Sequence, residues 1–167
     1  MIVIEKITIS EAQKSTSPNQ ISLICTEKPD GTTNLAAISW WTYLANRPPM
    51  IGIAVSSKSY SGELIDKNRQ VVLSIPGEAI AKEAFQCGCV SGKDTNKAEK
   101  FAIDLITLEE TNIKIPAHSK LAFVCTLDKT VDAGDHIFYI CNIQSIFCNN
   151  NEKQLYAWEG YAKLAPL

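Results

Sequence analysis

The sequence predicts a mainly β protein: an antiparallel barrel, closed or partly closed, with short peripheral helices. Three observations predict it. Most of the chain falls into apolar runs of strand length, separated by Pro, Gly, Asn and Asp clusters. Alternating strand and helix units are absent, and there is no Gly-x-Gly-x-x-Gly, which argues against a doubly wound nucleotide-binding sheet. The 167 residues, 46% hydrophobic and 20% charged, suffice for one cored domain spanning 1–167.

In chain order, residues 21–26 form the first strand, and Lys28-Pro29-Asp30-Gly31 supplies a turn. Residues 33–40 return as the second arm of a hairpin. Arg47-Pro48-Pro49 holds the chain extended before a strand at 50–55. A helix over 61–68 leads into a strand at 70–75, and short helices cover 79–85 and 96–101. Long strands at 121–131 and 136–147 are joined through Asp132-Ala133-Gly134-Asp135, and 155–158 reads as a last strand. Strands joined by hairpins, with helices at the crossovers, make the barrel.

Composition removes several classes of function. A net charge of −2 gives no basic face for nucleic acid, and no apolar run is long enough to span a bilayer. The N-terminus lacks a basic stretch followed by a long apolar one, so a cytoplasmic location is expected. Six cysteines, at 25, 87, 89, 125, 141 and 148, are therefore expected as reduced thiols. Cys25, Cys125 and Cys141 sit in apolar runs and read as small core residues. Cys87-Gly88-Cys89 is spaced too tightly for a zinc knuckle and lacks a second pair, so no metal is expected. Histidine pairs at ligand spacing, a nucleophile elbow and a thiol-hydrolase signature are all missing, so no side chain is assigned a catalytic role.

Four features carry chemistry. Ser56-Ser57-Lys58-Ser59-Tyr60-Ser61 lies where a strand end meets a helix start, so hydroxyls, unpaired N–H groups and the helix dipole favour an oxyanion such as phosphate. An N-cap serine with polar neighbours is the plainer alternative. Asn34-Leu35-Ala36-Ala37-Ile38-Ser39-Trp40-Trp41 is a strand rich in small residues that would let something flat approach its backbone, or else packs under a helix. Lys93, Lys97 and Lys100 cluster on one short element, and Lys97 at a helix start is misplaced for the dipole unless an anion is near. His136 opens a strand after Gly134-Asp135, whereas His118 sits in a loop with no functional reading.

Taken in order, these segments resemble the flavin reductase-like family, including the flavoredoxins, with the FMN-binding split-barrel fold. The matching pieces are Pro18-Asn19-Gln20-Ile21-Ser22-Leu23-Ile24 with Asp30-Gly31, Asn34-Leu35-Ala36 with Ser39-Trp40, and Arg47-Pro48-Pro49. After them come the serine-rich strand end, Cys87-Gly88 with 91–97, Gly134-Asp135-His136 and Gly160-Tyr161. The resemblance implies noncovalent FMN near the interface of a homodimer. It places Asn34 and Trp40 along the ring or ribityl chain, with Ser39 in the same segment. Ser61, helped by Ser57 and Ser59, would meet the phosphate, with Lys97 as its cation, His136 facing the flavin and Tyr161 against the ring. Lys100, which precedes Phe101, could take the Lys97 role under a shifted register. The activity implied is reduction of flavin or ferric substrates, with NAD(P)H as a transient co-substrate and a small-molecule or protein acceptor. The alternative is an FMN electron carrier with little NAD(P)H activity.

Overall fold

The computed structural model describes residues 4–167. The reading of the N-terminus rests partly on residues 1–3, which lie outside them. In chain order the elements are α1 (Ile9–Ser15), β1 (Asn19–Gln20), β2 (Ser22–Glu27), β3 (Thr33–Ile38), β4 (Trp41–Asn46), β5 (Pro49–Ser56), α2 (Tyr60–Asn68) and β6 (Gln70–Pro76). A 3-10 turn, Glu78–Ile80, leads into α3 (Ala81–Cys89) and α4 (Lys97–Lys100). The chain ends with β7 (Leu105–Ile106), β8 (Ile115–Pro116), β9 (Ser119–Ala133), β10 (His136–Cys148), β11 (Tyr156–Trp158) and β12 (Lys163–Ala165).

Seven strands form one antiparallel sheet in the order β3-β2-β6-β9-β10-β5-β4. Its two edges, β3 and β4, are consecutive in the chain and joined by Ser39-Trp40 alone. The Ala54 N–H donates to the Trp40 carbonyl at 2.8 Å, so the sheet closes on itself at that point and parts beyond it. This is the mainly β, split-barrel architecture expected from the sequence.

Both faces of β2 and β6 are buried, which explains why these strands read as nearly continuous apolar runs. Along β2, Ile24 points into the barrel with Ile51, Ile53, Val71, Leu73, Phe123 and Tyr139, while Leu23 and Cys25 point outward. The outward set joins Leu35, Val72, Ala84, Cys87 and Val124 beneath α3 and the C-terminal segment. Side chains fill the small barrel, so a ligand has to bind at its wall. The β9–β10 hairpin turns through Gly134 at φ +70°, in the turn expected at 132–135.

Three expectations change. The arm expected at 33–40 ends at Ile38, and 41–46 forms the separate strand β4. Arg47-Pro48 is consequently the turn of a β4–β5 hairpin, where an extended spacer was expected. Strand β4 carries little core signal, because Thr42, Tyr43 and Leu44 are all exposed. Helix α1 was not read either: it buries no residue, and its one sequence signal is the capping box of Thr8 and Glu11.

Candidate cofactor cleft

A cleft of about 470 Å³ occupies the split between β3 and β5. One lip is Ala36, Ala37, Ile38 and Ser39; the other is Ala54, Val55 and Ser56. Pairing of β4 with β5 stops at Trp41 opposite Ile53, and β3 pairs only with β2. The facing edges of β3 and upper β5 therefore keep backbone groups that no strand uses. Small side chains at Ala36, Ala37 and Ala54 leave room for a planar group to reach them.

The floor and rim come from four other elements. On α3, Ala84, Phe85, Gly88 and Cys89 face the cleft, and the Gly88 Cα lies so close to β3 that a Cβ there would sit 3.3 Å from the Ala37 Cβ. Ser59 lines the cleft and caps α2, its Oγ accepting from the Gly62 N–H at 3.4 Å. The position of α2 is fixed by Gly62, where a Cβ would lie 2.7 Å from the Tyr139 hydroxyl. That hydroxyl donates to Asp66 on the same helix at 3.2 Å. His136 stands opposite Ser56 in the β5–β10 ladder, stacks on Trp40 with ring centroids 4.8 Å apart, and holds Asp135 at 2.7 Å through Nδ1.

Tyr161 closes the rim. A small sheet, β1-β11-β12, ties the chain start to its end, and Glu159, Gly160 and Tyr161 follow β11 at φ 54°, 65° and 75°. Those three left-handed residues turn the Tyr161 ring back so that its hydroxyl accepts from the Trp40 Nε1–H at 3.3 Å.

A second polar group lies deeper. Asn34 donates through Nδ2 to Thr26 Oγ1 at 3.2 Å and to Ser61 Oγ at 2.9 Å. Gly92 presses onto this pair: a Cβ there would fall 1.7 Å from Asn34 Oδ1 and 3.6 Å from Lys97 Cε. Lys97 is only 3% exposed, pairs with no carboxylate among the described residues, and donates from Nζ to the Cys87 carbonyl at 2.6 Å. The carbonyl end of α3 thus meets the cation that seemed misplaced at the start of α4. Burial still holds the Lys97 ammonium below the usual lysine range. The same burial lifts the Cys87 thiol to about 11, with Lys97 pulling the other way.

Of the residues singled out from the sequence, Ser39, Trp40, Ser59, His136 and Tyr161 line the cleft. Asn34, Ser61 and Lys97 come together in the buried cluster instead. Ser57 is exposed on the turn before α2 and does not line the cleft; its N–H donates to the Asp135 carbonyl at 3.0 Å. Ser39 Oγ donates to the Gln20 carbonyl. Lys100 is exposed, with Nζ 5.7 Å from the Phe101 ring centre, so the buried position is that of Lys97. The α3 wall was missed. Its residues read as a helix, but nothing in the sequence says which strands that helix covers.

A flavin reductase like domain profile matches residues 15–165. The chain belongs to the flavin reductase-like family. Among curated proteins it is 28% identical over 119 residues to an uncharacterised protein of Archaeoglobus fulgidus, covering 70% of this chain and 64% of that one. That match spans less than two thirds of the relative's own length. Among solved structures, a flavoredoxin from Methanosarcina acetivorans superimposes with a TM-score of 0.80 at 18% identity, covering 100% of this chain and 90% of that one. The Streptomyces globisporus C-1027 NADH:FAD oxidoreductase gives 0.84 at 11% identity, with coverage of 100% and 98%. These two likenesses speak to the fold of this flavin reductase-like chain. No helix among its described residues is long and apolar enough to cross a membrane.

Proposed function

We propose that this flavin reductase-like protein holds FMN noncovalently in the β3–β5 cleft and works as an NAD(P)H-dependent oxidoreductase. The observation that carries the reading is the slot itself: two strand edges with unused backbone groups, spaced by alanines, which suit the hydrogen-bonding rim of a flat heterocycle. The buried set fits the cofactor's anionic tail. Lys97 is a desolvated cation without a carboxylate, next to Asn34 and Ser61, and the α2 N-terminus with Ser59 lies at the cleft wall. When bound, the flavin supplies hydride chemistry at N5, and the protein supplies position and electrostatics. Trp40, His136 and Tyr161 line the cleft and would wall the ring and restrict water on that side. Backbone N–H groups of β3, together with His136, would stabilise negative charge developing on a reduced ring.

The same reading includes a homodimer. The outer edge of β4 is unpaired and exposes Tyr43 and Leu44, 60% and 42% accessible, a surface suited to a second copy. The same reading keeps the six cysteines as thiols in the cytosol, with Cys25, Cys87, Cys125 and Cys141 buried as small core residues.

Anaerobic addition of NADH or NADPH to flavin-loaded protein should bleach the flavin absorbance band. No bleaching with either nicotinamide would refute the reductase activity. One observation favours a second reading, an electron carrier reduced by another protein: the cleft lining holds no Lys or Arg to meet a dinucleotide's phosphates. A carrier would stay oxidised with both nicotinamides and still bind FMN.

A further inference from the structure

The geometry points to a neutral, planar, carbonyl-bearing acceptor of the quinone class as the substrate reduced in this cleft, with the Tyr161 hydroxyl donating a hydrogen bond to its carbonyl oxygen. This rests on the flavin reading above and names the acceptor that reading leaves open.

Three observations converge. First, the residues lining the cleft include no Lys, Arg, Asp or Glu, and the Nδ1 side of its one histidine, His136, is occupied by Asp135. An anionic ferric chelate would be desolvated there without a counter-charge, on a protein whose net charge is itself −2. Second, the wall opposite the strand edges is apolar. Ala84, Phe85 and Leu164 form it, and Phe85 leaves 43% of its surface exposed although it faces the cleft. An exposed aromatic face beside a slot suits a second flat ring.

Third, the Tyr161 ring packs against the core beneath α3, while its hydroxyl is held at the cleft rim, where apolar packing gives it no partner. It and Glu159 are non-glycine residues at φ 75° and 54°, a left-handed backbone state that L side chains rarely adopt. The conformation sets the Tyr161 hydroxyl against Trp40, where it accepts one hydrogen bond. Its own proton has no acceptor among the described residues, so it is free to donate into the cleft. A single neutral donor in an uncharged, aromatic-lined slot matches a carbonyl oxygen better than a carboxylate or phosphate.

The redox step balances simply. The acceptor takes two electrons and a proton as hydride from the reduced cofactor, which returns to its oxidised form. A second proton, relayed from solvent through the Tyr161 hydroxyl, completes the hydroquinone, and NAD(P)H is the reductant that restores the cycle.

The test uses flavin-loaded protein, verified by absorbance that co-elutes with the chain, reduced anaerobically and mixed with 1,4-naphthoquinone or with ferric citrate. Reoxidation by the quinone should saturate and be at least tenfold more efficient than by ferric citrate. Tyr161→Phe should raise half-saturation for the quinone about three- to tenfold relative to ferric citrate, and weaken calorimetric binding of the quinone to the oxidised, flavin-loaded protein by the same factor, the loss of one neutral hydrogen bond. Phe85→Lys, on an exposed helix position, should shift the preference toward ferric citrate. The assignment is overturned if ferric citrate is the better acceptor, if Tyr161→Phe slows both acceptors equally, or if Phe85→Lys leaves their ratio unchanged. Protein that retains no flavin under any loading condition would instead sink the cofactor reading on which all of this stands.

Discussion

Replacing Lys97 with methionine separates a phosphate cation from a structural lysine. In the cluster beside Asn34 and Ser61, Lys97 is buried, and its ammonium bonds among the described residues only to the Cys87 carbonyl. Two opposed effects set the apoprotein's response. Losing a buried, unpaired charge is stabilising, while leaving the Cys87 carbonyl unsatisfied costs about 1–3 kcal/mol. The net change in apoprotein stability should therefore stay within about 1–2 kcal/mol. Flavin binding has no such compensation: a charge-assisted contact contributes about 1.5–3 kcal/mol, so FMN should dissociate roughly ten- to a hundredfold more readily. Fluorescence titration of FMN and thermal melting of the apoprotein read the two quantities separately. The pH dependence adds a sign. Burial lowers the Lys97 pKa in the fold, so the cost of its charge is relieved as pH rises through that value toward 10.5. Apoprotein stability should gain from this group over that range while FMN affinity falls, because only the ammonium attracts phosphate. Lys100→Ala, on the exposed position over Phe101, should leave FMN affinity within twofold. If Lys97→Met binds FMN like the parent, or Lys100→Ala is the one that weakens it, the cluster is not the phosphate site.

Two further outcomes follow from neighbouring geometry. Gly92→Ala would put a methyl group 1.7 Å from Asn34 Oδ1, so the loop over Asn34 must shift; we expect a loss of about 1–3 kcal/mol in denaturant unfolding together with weaker FMN binding. A variant that melts and binds like the parent would show that the loop does not clamp Asn34. In alkali, burial raises Cys87 to about 11 and Cys141 and Tyr139 to about 12, and it raises Cys25 and Cys125 as well. These groups stay neutral in the fold while the unfolded chain ionises. Their stabilisation is thus complete below about pH 9 and is lost as pH climbs through the folded values. Melting temperature should fall steeply above pH 9, and a flat profile to pH 11 would contradict the burial of these thiols.

Much of the fold is legible in the sequence. The strands at 21–26 and 70–75 are apolar runs because both faces of the sheet are covered there, and their ends, like those of 121–131 and 136–147, fall within a few residues of the observed ones. What escaped was the structure that buries little. Tyr43 and Leu44 face outward, so β4 lacks both a core run and a clean alternation, and the chain from 33 to 46 looked like one strand and a loop. The site divides in the same way. Ser59 and His136 are legible from local signals, a helix cap and a hairpin, and Trp40 from the small-residue segment in which it stands. That Asn34, Ser61 and Lys97 would meet below the cleft was legible only as separate hints, since three elements from distant parts of the chain converge there. Cys89 and Phe85 on the α3 wall had no local signal at all, because their position depends on where a short helix lands on a sheet.

Because the chain leaves β3 through Ser39-Trp40, and the Trp40 carbonyl is the group that Ala54 of β5 bonds to, the width of the slot between β3 and β5 depends on a two-residue span. Lengthening or stiffening that short span would change how thick a ring the slot admits without altering a single rung elsewhere. In this architecture the choice of guest can drift while the scaffold stays as it is.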